Sequence, residues 1–190
     1  MRIGHSILKC SCLSEIVVAS ASLPVCIFPS NYIFNFTSSM PQGIYKLRKV
    51  IPKRGDVVGA CIPDSFATLA LDRGYLPKGM CKNGTKPVMK YVAAVPGDVV
   101  EVKLDGIQIN SDSVPNTRSY QYDLLGKPIP NRLGVYTLQE GEHWLLSNHD
   151  SGSLDSRYFG PITKTLGVVE PVFIKKDLCQ LKFANVFLRC

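Results

Sequence analysis

The chain has 190 residues and a formal net charge of +7, a length that suits one domain with its own core. An apolar content of 45% with 19% charged residues excludes a disordered or low-complexity chain. Lys and Arg are spread out, with no cluster longer than Lys46 to Arg54, which argues against nucleic-acid binding and for solubility or weak attraction to anionic headgroups.

In chain order, Arg2 and Lys9 precede an apolar stretch from Leu13 to Phe36, broken by Glu15, Pro24, Pro29 and Asn31. Its unbroken part, Ile16 to Phe28, is shorter than the roughly 20 residues that span a bilayer. With basic residues before it and none after it until Lys46, the positive-inside rule leaves everything downstream outside the cytoplasm. Residues 1–36 are therefore expected to be an export signal or inner-membrane anchor. An uncleaved anchor is favoured, because cleavage at Ala19-Ser20-Ala21 would leave an apolar core shorter than the usual roughly 7–15 residues. Residues 37–190 are expected to form the exported, periplasmic domain. The seven cysteines fit such a compartment. Cys61 and Cys81 bracket one loop and can bridge, or stay as buried thiols; Cys179 and Cys190 are a second candidate pair, and Cys10, Cys12 and Cys26 lie in or before the apolar segment.

Thr37-Ser38-Ser39-Met40-Pro41-Gln42-Gly43 opens the exported part. Pro41 biases Met40 to extended backbone and Gly43 is expected to permit a turn, so that Ser39 stands on an exposed ledge. Strands are predicted over 45–50 and 56–61, separated by the turn Pro52-Lys53-Arg54-Gly55, and a short helix over 65–74 ending at Gly74. Val88 to Val95 is an apolar run interrupted only by Lys90. Pro96-Gly97-Asp98 turns into the alternating strand 99–104, and Asp105-Gly106 turns again into 107–109. Residues 110–133 read as a long polar excursion with little core. Strand character resumes at Tyr136, Leu138 and His143 to Leu146. Residues 147–161 read as a polar loop too dense in side-chain acceptors to be a core element, and strand 168–174 closes the domain. The sum is a mostly β, antiparallel, barrel-like architecture with one short helix.

A lysine inside an apolar strand points to chemistry. Desolvation disfavours the ammonium, and a neutral amine near pH 7 is a general base. The alternative is a lysine that snorkels to the surface at a strand edge. Paired with Ser39, Lys90 makes the Ser-Lys variant of nucleophilic catalysis, in which histidine has no part; His5, His143 and His149 are then bystanders. The chemistry calls for no metal or organic cofactor.

Three segments together resemble the type I signal peptidase superfamily: Ser39-Met40-Pro41, Lys90 eight residues before Asp98 of Pro96-Gly97-Asp98, and Ser153-Leu154-Asp155-Ser156-Arg157. The resemblance implies that Ser39 is the nucleophile and Lys90 the general base. It also implies that Ser153 orients the lysine amine, that Asp155 and Arg157 form a supporting ion pair, and that the oxyanion is met by the Ser39 N–H and the Thr37 hydroxyl, with Ser38 as an alternative. The Ser-Met-Pro-Gln-Gly-Ile-Tyr form, the Cys61 to Cys81 loop with Arg73-Gly74-Tyr75-Leu76, and Asp155 to Pro161 are most similar to the TraF-type peptidases of conjugative plasmids. That likeness implies a prepilin substrate, processed and in some members cyclised, and a place beside the mating apparatus on the periplasmic face of the inner membrane. General signal peptide removal, a non-catalytic component of the apparatus and a self-cleaving Ser-Lys protease are the other readings. The last lacks its Ala-Gly or Cys-Gly scissile pair.

Overall fold

The computed structural model describes residues 31–147 and 149–174. The expectations for the N-terminal segment up to Ser30, and for Cys10, Cys12, Cys26, Cys179 and Cys190, lie outside them. Ten strands and two helices follow one another as β1 (Tyr32–Asn35), β2 (Gly43–Arg48), β3 (Val57–Ala60), α1 (Asp64–Asp72), β4 (Val88–Ala94), β5 (Val99–Val102), β6 (Ile107–Ile109), β7 (Asp112–Val114), β8 (Gly134–Thr137), β9 (Trp144–Leu146), α2 (Ser156–Phe159) and β10 (Thr165–Ile174). All pairings are antiparallel, in a six-stranded sheet ordered β1-β2-β10-β3-β4-β9 and a four-stranded sheet ordered β7-β6-β5-β8. The expected mostly β class is what is seen. No helix among the described residues is long and apolar enough to cross a membrane.

The larger sheet carries α1 on its main core. Pro63 caps the helix at its N-terminus, and Gly74, at φ +68°, follows its end in the left-handed conformation that glycine adopts most cheaply. Phe66, Ala67 and Ala70 form the buried face, where Phe66 meets Phe159 edge to face at 6.3 Å. A second cluster, built on Trp144, Val100 and Ile107, fills the smaller sheet. A third, of Met40, Tyr45, Met89 and Val169, lies under the Ser39 segment. Cys61 and Cys81 are joined by a disulfide, closing the loop that contains α1.

β1 is an edge strand paired with β2, in which Ile33 packs on the third cluster and Asn35 is buried. Three expectations need correction. Gly43 makes no turn: it opens β2, and a Cβ there would lie 2.1 Å from the Phe173 carbonyl oxygen, so close approach of β10 is what requires glycine. The excursion at 110–133 contains β7, reached through a hairpin turn in which Asn110 and Ser111 take φ of +51° and +74°. The polar segment 147–161 is a core element after all: Ser153, Asp155, Ser156, Arg157, Tyr158 and Phe159 are all buried. Arg157 pairs with Asp155 and with the Ser151 and Ser153 carbonyls, which is how so polar a run is accommodated.

Candidate active site

Ser39 lies in the short connection between β1 and β2. It is half-buried, while the next residue, Met40, is driven into the cluster with Tyr45, Met89 and Val169. Burying a methionine side chain contributes on the order of 2 kcal/mol, enough to anchor the segment at the residue beside the hydroxyl. The Tyr45 hydroxyl donates to the Pro41 carbonyl at 2.6 Å, and the Ser147 hydroxyl donates to the Ser39 carbonyl at 2.6 Å. The Ser39 backbone is thus pinned from both sides, leaving the side chain free to face a cleft.

Lys90 is the third residue of β4, opposite Val58 of β3. The neighbouring strands bury it to 4% exposure, so the snorkelling alternative is excluded. Burial lowers its amine from the ordinary 10.5 to about 8; the charge of Asp155 raises it in part, Arg157 lowers it and Asp150 raises it. The amine has no hydrogen bond or ion pair among the described residues. Lys90, Ser39, Thr37 and Ser153 all line one cleft of about 250 Å³, whose other walls are mainly apolar, from Ile33 and Phe34 of β1, Tyr75 and Leu76 after α1, and Met89.

Of the sequence-predicted residues of the last segment, Ser153 lines the cleft, and Asp155 and Arg157 lie behind it. Asp155 and Arg157 form a fully buried bidentate pair, Nε to Oδ1 at 2.8 Å and Nη2 to Oδ2 at 2.9 Å. Burial alone lowers the Arg157 guanidinium, but the hydrogen bonds and charge of Asp155 outweigh it and hold it above its ordinary value. Arg157 also donates to the carbonyls of Arg118, Ser151 and Ser153, which shapes the loop that delivers Ser153 to the cleft. Asp155 accepts from the Ser147 N–H at 3.2 Å, joining the ion pair through Ser147 to the Ser39 carbonyl. Among the described residues the buried Ser153 hydroxyl has no hydrogen-bond partner, and the contact expected to orient the lysine amine is not seen. A hydroxyl in that state readily takes a bond from any group that enters the cleft.

Thr37 Oγ1 lies 3.3 Å from Ser39 Oγ, whereas the Ser38 hydroxyl donates to Asp150 Oδ2 at 3.1 Å and so is directed elsewhere. Asp98 supports the far end of β4: Arg54 contacts both of its oxygens, and Val95 N–H and Asn110 Nδ2 donate to it at 2.8 and 2.9 Å. His149 is exposed and stacks on Tyr91, and His143 is buried in a bridge to Ile162. Two polar residues of the site escaped sequence reading. Ser147 sits at the end of β9, and Asn35 at the end of β1 makes hydrogen bonds to Thr37, Met40 and Pro41. A polar residue at the end of an apolar strand was the one signal available for each.

The profile of the signal peptidase, peptidase S26 family matches residues 14–173. A plasmid transfer protein TraF of Escherichia coli is 34% identical over 142 residues, covering 73% of this chain and 80% of its own length. A conjugal transfer protein TraF of Agrobacterium tumefaciens strain 15955 is also 34% identical, over 168 residues that cover 85% of this chain and 93% of its own. Among solved structures, a signal peptidase I from Enterococcus faecalis V583 aligns with a TM-score of 0.35 at 21% identity, over 64% of this chain and 98% of that one.

Proposed function

The chain belongs to the signal peptidase S26 family, and from that membership we propose that it is a Ser-Lys endopeptidase that matures the pilin subunit of a plasmid conjugation apparatus. Relatives named for plasmid and conjugal transfer support the setting. The observation that carries the chemistry is Lys90: a buried amine brought to about 8, in one cleft with a half-buried serine. A Cys61–Cys81 disulfide is in keeping with an exported domain.

In this reaction the precursor lies along the apolar cleft with its scissile carbonyl at Ser39. Lys90 Nζ takes the proton of Ser39 Oγ as the oxygen bonds to the carbonyl carbon. The Ser39 N–H, joined by Thr37, meets the developing oxyanion. The Lys90 ammonium then protonates the leaving amine as the C–N bond breaks, and an acyl-enzyme on Ser39 remains. Water releases a linear product. The pilin's own N-terminal amine would release a ring instead, with the same proton transfer to Lys90. Asp155 and Arg157 act as the frame for Ser147 and Ser153, without touching the substrate.

The test is co-expression of the full chain with the pilin precursor of the same plasmid, followed by mass measurement of the pilin. Wild type is expected to give a shortened chain and Ser39→Ala the intact precursor, while Ser38→Ala retains most processing. A product lighter than the linear cleavage product by one water marks ring closure. Maturation at the native rate by Ser39→Ala contradicts the assignment.

A further inference from the structure

We propose that Asn35 is a positioning residue for the nucleophile, and that in the resting enzyme its Oδ1 accepts a hydrogen bond from the Thr37 hydroxyl, which in turn accepts one from the Ser39 hydroxyl. The inference rests on Ser39 being the nucleophile.

Asn35 is 7% exposed at the end of β1. Its Nδ2 donates to the carbonyls of Thr37 at 3.2 Å, Met40 at 3.0 Å and Pro41 at 3.0 Å. Its Oδ1 accepts from Thr37 N–H at 3.2 Å and from Thr37 Oγ1 at 2.7 Å. These partners settle the orientation of the amide, because a flip would set its oxygen against three carbonyls and its nitrogen against an N–H donor. One side chain thus ties down the chain on both sides of Ser39, including the residue that anchors it in the core.

A threonine hydroxyl has one proton and an amide oxygen can only accept, so the 2.7 Å contact holds the Thr37 proton. In its 3.3 Å contact with Ser39, Thr37 is therefore the acceptor and Ser39 Oγ–H the donor. The resting order is Ser39 to Thr37 to Asn35. For attack, the Ser39 proton must swing to Lys90, and Thr37 can donate to an oxyanion only by turning its own proton away from Asn35. Asn35 sets the starting point of both movements without meeting the reacting atoms.

Steady-state processing of the pilin precursor by the detergent-solubilised full chain tests this, with kcat expressed per folded molecule from a parallel thermal melt. Asn35→Ala is expected to lower kcat about ten- to a hundred-fold, as loss of alignment does. KM should stay within about three-fold and the pH–rate midpoint near 8 should not move, because Lys90 is untouched. Thr37→Val, at an exposed position, is expected to lower kcat about a hundred-fold. The double variant should lose less than the product of the two, by about five-fold or more, since part of what Asn35 does passes through the Thr37 hydroxyl. Unchanged kcat per folded molecule in Asn35→Ala, or losses that multiply in full, overturns the inference. Should Asn35→Ala fail to fold, the side-chain amide protons of Asn35 in wild-type protein give the answer by NMR. Slow exchange with solvent, and a resonance displaced by Thr37→Val, support the tie; exchange at the rate of a free amide overturns it. If Ser39→Ala still processes the precursor, the Ser-Lys reading itself fails and takes this inference with it; an essential Ser39 beside a dispensable Asn35 removes this inference alone.

Discussion

Lys90 is costly to fold around, and the cost has a definite pH dependence. Its amine ionises at about 8 in the folded chain against 10.5 when free. Between those values the unfolded chain holds a proton that the folded one has released, so stability rises with pH across that window; below about 8 the full penalty is present. A shift of this size corresponds to about 3 kcal/mol. Lys90→Met, which keeps the volume and removes the charge, should therefore be inactive yet more stable than wild type at pH 7, by about 1–3 kcal/mol. Urea unfolding of both proteins at pH 7 and pH 10 measures this, and the advantage should shrink at the higher pH. A variant less stable than wild type at pH 7 would mean that the ammonium is well solvated in the folded state.

At the scale of elements, the segment from Ser147 to Gly160 connects packing to chemistry. Arg157 is fully buried, and among the described residues Asp155 is the one carboxylate in ion-pair contact with it. Asp155→Ala would leave that guanidinium without its counter-charge and take the acceptor from Ser147 N–H. It should cost about 3–5 kcal/mol by denaturant unfolding, with processing lost in parallel. A loss below about 1 kcal/mol would show that Arg157 finds water or another partner. This segment was also the part of the fold least legible in the sequence. Its composition is that of a loop, and only the through-space pairing of Arg157 with Asp155 and with three carbonyls turns it into core. The strands with apolar alternation, 99–102 and 107–109, and the helix ending before Gly74 were readable because period and punctuation are local. β7 was missed because its turn is built from Asn110 and Ser111, with no glycine to mark it.

For the molecule as a whole, the site is where two distant pieces of chain meet the third. The β1–β2 connection supplies Ser39 and Thr37, β4 supplies Lys90, and the segment after β9 supplies Ser153 and the ion pair behind it. The two residues of the proposed chemistry were legible because Lys90 stands out in an apolar strand and Ser39 sits in a compact motif. The sequence could not display the roles of Asn35 and Ser147, which exist only as hydrogen bonds, within the Ser39 segment for Asn35 and across the fold for Ser147. The Cys61–Cys81 disulfide closes the loop that carries α1 and also contains Tyr75 and Leu76 of the cleft wall. The central claim is that Lys90 works as a neutral base on Ser39. Its most direct test is the pH–rate profile of pilin processing by wild type, run beside Lys90→Arg. Activity should rise with pH to a plateau, with its midpoint near 8, and Lys90→Arg should be inactive throughout, since a guanidinium stays charged and cannot accept the proton. Substantial activity in Lys90→Arg, or a wild-type profile flat between pH 6 and about 9, would contradict it.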